Sequence, residues 1–261
     1  MSLFGRALAS AKTPLTGKSW TDGDRLEVAG TPVTLRVNRR ARRVSLRLDR
    51  TRREIVATAP SPRRLAEAAA FARERAGWIA ERIAELPDAT PLHPGMMLQV
   101  FGEPVRLEAG GGRAKWIAAA DGEPARIAAM AACDLGGEGY ARAVILVLKK
   151  RAMAVLSERT EVYAAMLGAA PPKVTVADAK GRWGSCRPGV RGGQAAIRYS
   201  WRLALAPFEV ADYVAAHECA HLLELNHGPR FWAHVKALVG EPKPHRDWLR
   251  AEGARLHGFG R

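Results

Sequence analysis

The chain has 261 residues, of which 48% are hydrophobic, so it can form one large or two modest domains with a real core. Its formal net charge of +15 suits anionic partners, yet no apolar run approaches the length of a membrane-spanning helix. Cys133, Cys186 and Cys219 are odd in number and widely spaced. This argues against a disulfide framework and predicts a reducing, cytoplasmic compartment.

The first part of the chain predicts a loose leader over residues 1–23, followed by a β-rich region. Between residues 26 and 59 apolar residues recur at every second position, which predicts the strands of a meander with turns near 38–41 and 50–53. The positions that carry this alternation are Val33, Leu35, Val37, Val44, Leu46, Leu48, Ile55 and Ala57.

A basic stretch overlaps these strands: nine arginines from Arg36 to Arg53 face a single carboxylate, Asp49. Such a density can attract nucleic acid or another anionic partner. No aromatic residue for base stacking accompanies the arginines. A solvated hairpin face is therefore the simpler interpretation, and nucleic-acid binding through Arg36–Arg53 stays an alternative.

Ser61 and Pro62 open a predicted helix that runs over 62–86 and ends at Pro87. Short strands are predicted at 98–101, 105–107 and 116–117. The glycines of 136–139 predict a hinge. This hinge separates a β-rich N-terminal region, 24–135, from a C-terminal domain, 136–261.

The C-terminal domain is predicted to contain a helix over 141–167 and strands at 173–177 and 195–201. A glycine-rich turn over 181–189 separates the two strands. A further helix begins near Pro207. The order of these elements indicates an α+β fold.

The most informative stretch is His217-Glu218-Cys219-Ala220-His221. On a helix, side chains at i and i+4 share a face, so both imidazoles can reach one zinc ion while Glu218 takes a proton from a metal-bound water. The apolar spacing before the pair predicts that it lies mid-helix on a core-facing element, with Cys219 as a packing residue. Two hydrogen-bonded core histidines are the alternative, but burying such a polar set without a partner is costly.

A catalytic zinc usually has three protein ligands, and His227 is the leading third candidate. The segment 226–229 (NHGP) is a strong helix stop that can turn His227 back toward the pair. Glu224 is the main competitor, because an unbroken helix would put it on the ligand face; the role favoured for it is to orient a ligand histidine. The weaker downstream candidates are Glu241, Asp247 and Glu252.

Four segments together resemble the YgjP-like family, bacterial proteins described as predicted zinc-dependent hydrolases. The segments are 181–186 (GRWGSC), 199–203 (YSWRL), 217–222 (HECAHL) and 226–232 (NHGPRFW). The resemblance is strongest over 180–250, and a more distant similarity extends to SprT-like and WLM proteases.

The resemblance implies a zincin-like catalytic domain with a backing helix, a small mixed sheet and an HExxH helix. It implies that His217, His221 and His227 bind the metal and that Glu218 is the catalytic acid and base. It also implies that residues 183–186 border the active site.

These expectations combine into a zinc-dependent hydrolase with one Zn²⁺, most of all a metallopeptidase that acts on peptides or proteins. A buried structural strand is the favoured interpretation of 197–201, and pairing of this strand with an extended peptide is the alternative. Arg182 and Trp183 are candidates to line the cleft, although packing is an equal interpretation for Trp183. Cys186 is not expected to be a nucleophile, because no base is assigned to it.

Two other functions stay open. A zinc hydrolase of an anionic, non-peptide substrate, such as a nucleotide phosphoanhydride, would suit the arginine excess. A nucleic-acid-associated module with a structural metal is the third interpretation, but a structural site has no use for a base such as Glu218.

Overall fold

The structure is a computed structural model that describes residues 19–49, 53–86, 88–130, 138–179, 181–189 and 193–260. These residues form two compact units that divide between Ile83 and Ala84. Each unit has its own hydrophobic core. Residues 1–18 of the predicted leader, 1–23, lie outside the described part of the chain.

The N-terminal unit contains a four-stranded sheet of β1 (Arg25–Val28), β2 (Thr31–Val37), β3 (Ser45–Asp49) and β4 (Glu54–Ala59). Strands form at the predicted positions, but the predicted meander is wrong. Strand β2 pairs in parallel with β4, and the order is β1-β2-β4-β3. Strand β3 consequently lies at an edge of the sheet. The described arginines between Arg36 and Arg47 are all exposed, as a solvated face requires.

The helix predicted over 62–86 is broken into parts. Pro62–Arg64 forms a 3₁₀ turn, followed by α1 (Leu65–Glu74) and α2 (Ala76–Ala84). Arg75 separates the two helices with φ −98° and ψ 23°. Helix α1 buries mostly alanines on β2 and β4, so it can lie close to the sheet.

The C-terminal unit begins with a second four-stranded sheet of β5 (Met97–Val100), β6 (Glu103–Ala109), β7 (Lys115–Ile117) and β8 (Ala125–Ala129). Its order is β5-β6-β8-β7, with β6 and β8 parallel and the outer pairs antiparallel. This is the topology of the first sheet. Strand β8 was not predicted, because its alanine-rich alternation is weakly apolar.

The two sheets also share sequence, which identifies an internal repeat. Each first hairpin turns through two residues of positive φ, Ala29 (49°) and Gly30 (70°) in one and Phe101 (53°) and Gly102 (86°) in the other. Two such residues in succession make the type I′ turn that suits strand twist. Identical residues at equivalent positions are Leu26 and Leu98, Val28 and Val100, Gly30 and Gly102, Pro32 and Pro104, Val33 and Val105, and Leu35 and Leu107.

The rest of the C-terminal unit places the HExxH helix beside a small mixed sheet. The elements are α3 (Glu138–Met166), β9 (Lys173–Ala177), β10 (Gly184–Arg187), β11 (Ala196–Ser200), α4 (Phe208–Ala220), α5 (Pro229–Val239) and α6 (Lys243–Leu256). The order β10-β11-β9 has β9 parallel and β10 antiparallel to β11. The turn predicted over 181–189 therefore contains a strand, β10, which forms through pairing with β11 although its own residues lack apolar alternation. The fold is α+β, as predicted.

The division between the units differs from the predicted boundary at 135–136. Buried residues of β5, β6 and β8 share one core with α3, α4 and β11, so the sheet before residue 135 packs with the helices after it. The predicted hinge lies outside the described residues at 136 and 137. The limits of the domains stay a prediction.

A polar network ties α4 to α3. The carboxylate of Asp212 accepts from Arg159 Nε at 2.6 Å and from the Tyr163 hydroxyl at 2.7 Å. Cys219 is fully buried, and its thiol lies 3.7 Å from the Thr160 carbonyl. This matches the packing role predicted for Cys219, and α4 is held by its polar as well as its apolar residues.

Within the described part of the chain, no helix combines the length and the apolar composition needed to cross a membrane.

We predict that Asp212→Ala lowers the free energy of unfolding by about 2 kcal/mol, because it leaves two partly buried donors without their acceptor. Urea denaturation measures the change. The control is Arg142→Ala, which removes an exposed pair with Glu138 and should change stability by at most about 0.5 kcal/mol. Equal losses in the two variants would contradict a structural role for the network.

Candidate metal centre

Helix α4 ends at Ala220, and this end shapes the centre. Its backbone closes in a tight turn in which the N–H groups of Leu223 and Glu224 both donate to the Ala220 carbonyl. His221 is the C-terminal cap, with φ −68° and ψ −12°. The prediction that the histidine pair lies mid-helix is therefore wrong: His217 is in the last turn and His221 follows it. The early end lets the chain turn back before residue 227.

Three imidazoles converge at this turn. Each of His217, His221 and His227 offers a ring nitrogen, and these atoms all lie within 4.8 Å of one another. The Nε2 atoms of His217 and His227 are 3.1 Å apart. The structure thus brings together the three histidines predicted as ligands, and His227, which is exposed, opens the cluster to solvent.

Hydrogen bonds to Nδ1 set the orientation of two of these rings. His221 Nδ1 lies 2.9 Å from the Glu224 carbonyl and donates to it, which leaves the lone pair on Nε2. His217 Nδ1 lies 3.4 Å from the Tyr213 hydroxyl. Glu224 therefore orients a histidine, as expected, but through its backbone; its carboxylate lies 3.9 Å from Arg230.

An aromatic residue that the sequence analysis did not single out supports all three rings. Phe231 on α5 is fully buried, and its ring centroid lies 4.5–4.8 Å from those of the histidines. Pro229, at the first turn of α5, starts the helix at this point. The apolar ring excludes water from one side of the cluster. In the sequence, the position of Phe231 four residues after His227 could have identified it as a neighbour of the cluster.

Glu218 lies against β10 at a position where any side chain on Gly184 would displace its carboxylate. A Cβ on Gly184 would be 2.5 Å from Glu218 Oε1, so the missing side chain makes room for the carboxylate. The Cys186 backbone N–H donates to that carboxylate. Burial raises the pKa of Glu218 to about 7, against the opposing effects of this hydrogen bond and of Arg182. Both forms of the carboxyl are thus accessible near neutral pH.

The donor set fits a divalent metal ion. Two nitrogens bound to tetrahedral zinc at about 2.0–2.1 Å lie about 3.3–3.4 Å apart, close to the observed 3.1 Å. Burial, together with the charges of His221 and His227, lowers the pKa of His217 to about 3. His217 is therefore neutral at physiological pH, which is the form that binds metals.

A family model described as "YgjP-like, metallopeptidase domain" matches residues 42–252. The chain belongs to the YgjP-like family. A search of curated proteins and a search of solved structures give no match. The match begins within the arginine stretch, so the YgjP-like region covers β3 and β4 of the first sheet as well as the histidine cluster.

The other residues that the sequence analysis considered for the site of this YgjP-like chain lie outside the histidine cluster. Arg182 is exposed and close enough to influence Glu218, whereas Trp183 stacks on His257 at 4.8 Å, which favours a packing role. Burial raises the pKa of the Cys186 thiol to about 11, so this thiol stays protonated and weakly nucleophilic. Asp247 and Glu252 form surface ion pairs with α6 neighbours, and Glu241 accepts from the Lys243 N–H.

Strand β11, which contains most of residues 197–201, has a neighbouring strand on each side. Strand β11 pairs with β10 on one side and β9 on the other. It is therefore a structural strand, as the favoured interpretation predicts, and the alternative of peptide addition at 197–201 is wrong. Among the described residues β10 is an outer strand of this three-stranded sheet, so the unpaired edge beside Glu218 belongs to β10.

We predict that His227→Ala weakens zinc binding by at least about a hundredfold, because it removes one of three ligands, whereas Glu224→Ala changes it by less than about tenfold. Competition with a chromophoric chelator measures both affinities. Glu224→Ala keeps the backbone carbonyl that orients His221, so it is the matched control. The reverse ranking would replace His227 by Glu224 as the third ligand.

Proposed function

We propose that the protein is a zinc-dependent metallopeptidase with a zincin-like catalytic domain. Membership of the YgjP-like family makes the chain a metal-dependent hydrolase of the metallopeptidase type. The observation that carries the finer proposal is the convergence of three imidazoles next to a buried carboxylate. In this proposal His217, His221 and His227 hold the ion, and Glu218 is the general base.

Zinc is the metal proposed because three imidazole nitrogens with an accessible fourth direction are typical of catalytic zinc sites. Exposed His227 makes the cluster accessible to solvent, while Phe231 packs against all three rings. When bound, zinc lowers the pKa of a coordinated water to about 7 and polarises the substrate carbonyl.

The chain's own residues move the proton. Glu218 takes it from the attacking water onto a carboxylate oxygen and then passes it to the leaving amine nitrogen. The Cys186 N–H and the absence of a side chain at Gly184 hold the carboxylate in place. Arg182 favours the ionised form, which is the one that accepts a proton.

The substrate proposed is an extended peptide aligned on the free edge of β10. An edge strand offers unpaired N–H and C=O groups to such a chain. Because Gly184 of this strand contacts Glu218, a peptide paired there would run past the base. The location proposed is the cytoplasm, which agrees with the free thiols of Cys186 and Cys219.

We predict that Glu218→Gln retains one equivalent of zinc and lowers casein hydrolysis by about 10²–10⁴-fold, because the amide cannot accept the proton. Elemental analysis and a labelled-casein assay measure the two properties. Undiminished turnover would remove Glu218 from the mechanism. Hydrolysis of nucleoside triphosphates instead of casein, abolished by a chelator, would support the anionic-substrate alternative over the peptidase.

We predict that Gly184→Ala lowers kcat by at least about tenfold with unchanged zinc content, because the new methyl group displaces the Glu218 carboxylate. The control is Gly181→Ala, whose Cβ meets nothing within 4 Å and which should keep its activity. Full activity in Gly184→Ala would show that the close packing of Glu218 on β10 has no catalytic role.

A further inference from the structure

The N-terminal unit contains a groove formed by residues between 43 and 78, none of which belongs to the histidine cluster. The groove has a volume of about 440 Å³ and runs between edge strand β3 and helices α1 and α2. Its walls combine apolar side chains with two guanidinium groups: Arg43, Val44, Leu46, Phe71, Arg75 and Trp78.

One wall of the groove is a strand that has no partner on its outer side among the described residues. Strand β3 pairs with β4 and is the outer member of its sheet. Such an edge can accept an extended chain as an additional strand, whose alternate side chains then enter the neighbouring groove. The backbone supplies the affinity and the groove supplies the selectivity.

The charge of the groove selects an acidic occupant. Arg43 and Arg75 line it and are exposed, and none of its described lining residues is a carboxylate. Arg47 on the same edge strand is also exposed. The chain's own residues 1–18 are a poor occupant, because they carry Arg6, Lys12 and Lys18 and no acidic residue.

The aromatic residues favour a peptide over single-stranded nucleic acid. The guanidinium of Arg75 lies over the Phe71 ring at 5.5 Å, and that of Arg82 lies over the Trp78 ring at 6.0 Å. One face of each ring is therefore already covered, which reduces the surface on which bases could stack. The edges of these rings still offer apolar contact to leucine-like side chains.

The internal repeat identifies the residue of the second sheet that corresponds to Leu46 in the groove. Leu46 pairs with Ala57, which pairs with Leu35; in the second sheet Trp116 pairs with Ile127, which pairs with Leu107. Trp116 is thus the register equivalent of Leu46, and Arg151 lies over its ring at 5.2 Å. A tryptophan at position 46 would add side-chain volume at a position that lines the groove.

We propose that this groove binds an extended acidic segment of a partner protein by strand addition to β3, with both acidic and apolar side chains on the face of the segment that enters the groove. The apolar residues enter between Leu46, Phe71 and Trp78, and the acidic residues pair with Arg43 and Arg75. This inference stands whether or not the histidine cluster acts as a peptidase.

The test is fluorescence anisotropy with a fluorescein-labelled peptide in which every second residue is leucine or glutamate in turn and the residues between them are threonine, so that one face carries both types; it is compared with its lysine-for-glutamate counterpart. The full chain carries Glu218→Gln, so that the probe stays intact. We expect saturable binding of the glutamate peptide only. Arg43→Glu with Arg75→Glu should weaken it by at least about tenfold. Leu46→Trp, which introduces the residue found at the equivalent position of the second sheet, should weaken it similarly by filling part of the groove.

The matched control is Arg39→Glu with Arg40→Glu, the same charge change at exposed positions outside the groove, which should weaken binding by less than about threefold. Hydrogen exchange should show new protection of residues 43–49 with the glutamate peptide. Equal weakening by the control pair, or no saturable binding, would overturn the proposal. Binding of labelled oligo-dT but not of the peptide, lost in the groove variants, would assign the groove to nucleic acid instead.

Discussion

The position at which α4 ends determines whether a metal centre can exist in this chain. If the helix continued past His221, residue 227 would point away from the ligand face, because ten residues do not complete a whole number of turns. The observed end at Ala220 is stabilised by the tight turn over 221–224. The same turn brings the Glu224 carbonyl to His221 Nδ1, so one local structure stops the helix and orients a proposed ligand.

A second constraint acts on the base. Glu218 follows the first histidine directly, so its side chain leaves α4 in another direction and meets β10. A carboxylate in that buried position needs a donor and space, and Cys186 and Gly184 supply them. The GRWGSC segment is thus explained by contact with the HExxH helix, which joins two motifs that lie far apart in the sequence. Asp212 and Cys219 fix the opposite side of α4 on α3.

Local patterns predicted much of this structure. The helix starting near Pro207, the strand over 173–177 and the convergence of His217, His221 and His227 follow from spacing, caps and the turn at 226–229. Pairing could not be predicted in the same way, because periodicity identifies a strand but not its neighbour. The parallel contact of β2 with β4, the strand β10 and the break at Arg75 all depend on contacts between segments. The internal repeat was visible in the sequence as a recurrent L-x-V-x-G-x-P-V-x-L pattern at 26–35 and 98–107, but periodicity alone did not reveal it.

The central claim is that three imidazoles bind one zinc ion and leave its fourth position to a small ligand. X-ray absorption at the zinc edge of the loaded protein tests it most directly. The account predicts a four-coordinate ion with three imidazole nitrogens and one further light atom, all at about 2.0–2.1 Å. Sulfur at about 2.3 Å, or a first shell with only two imidazoles, would contradict the account.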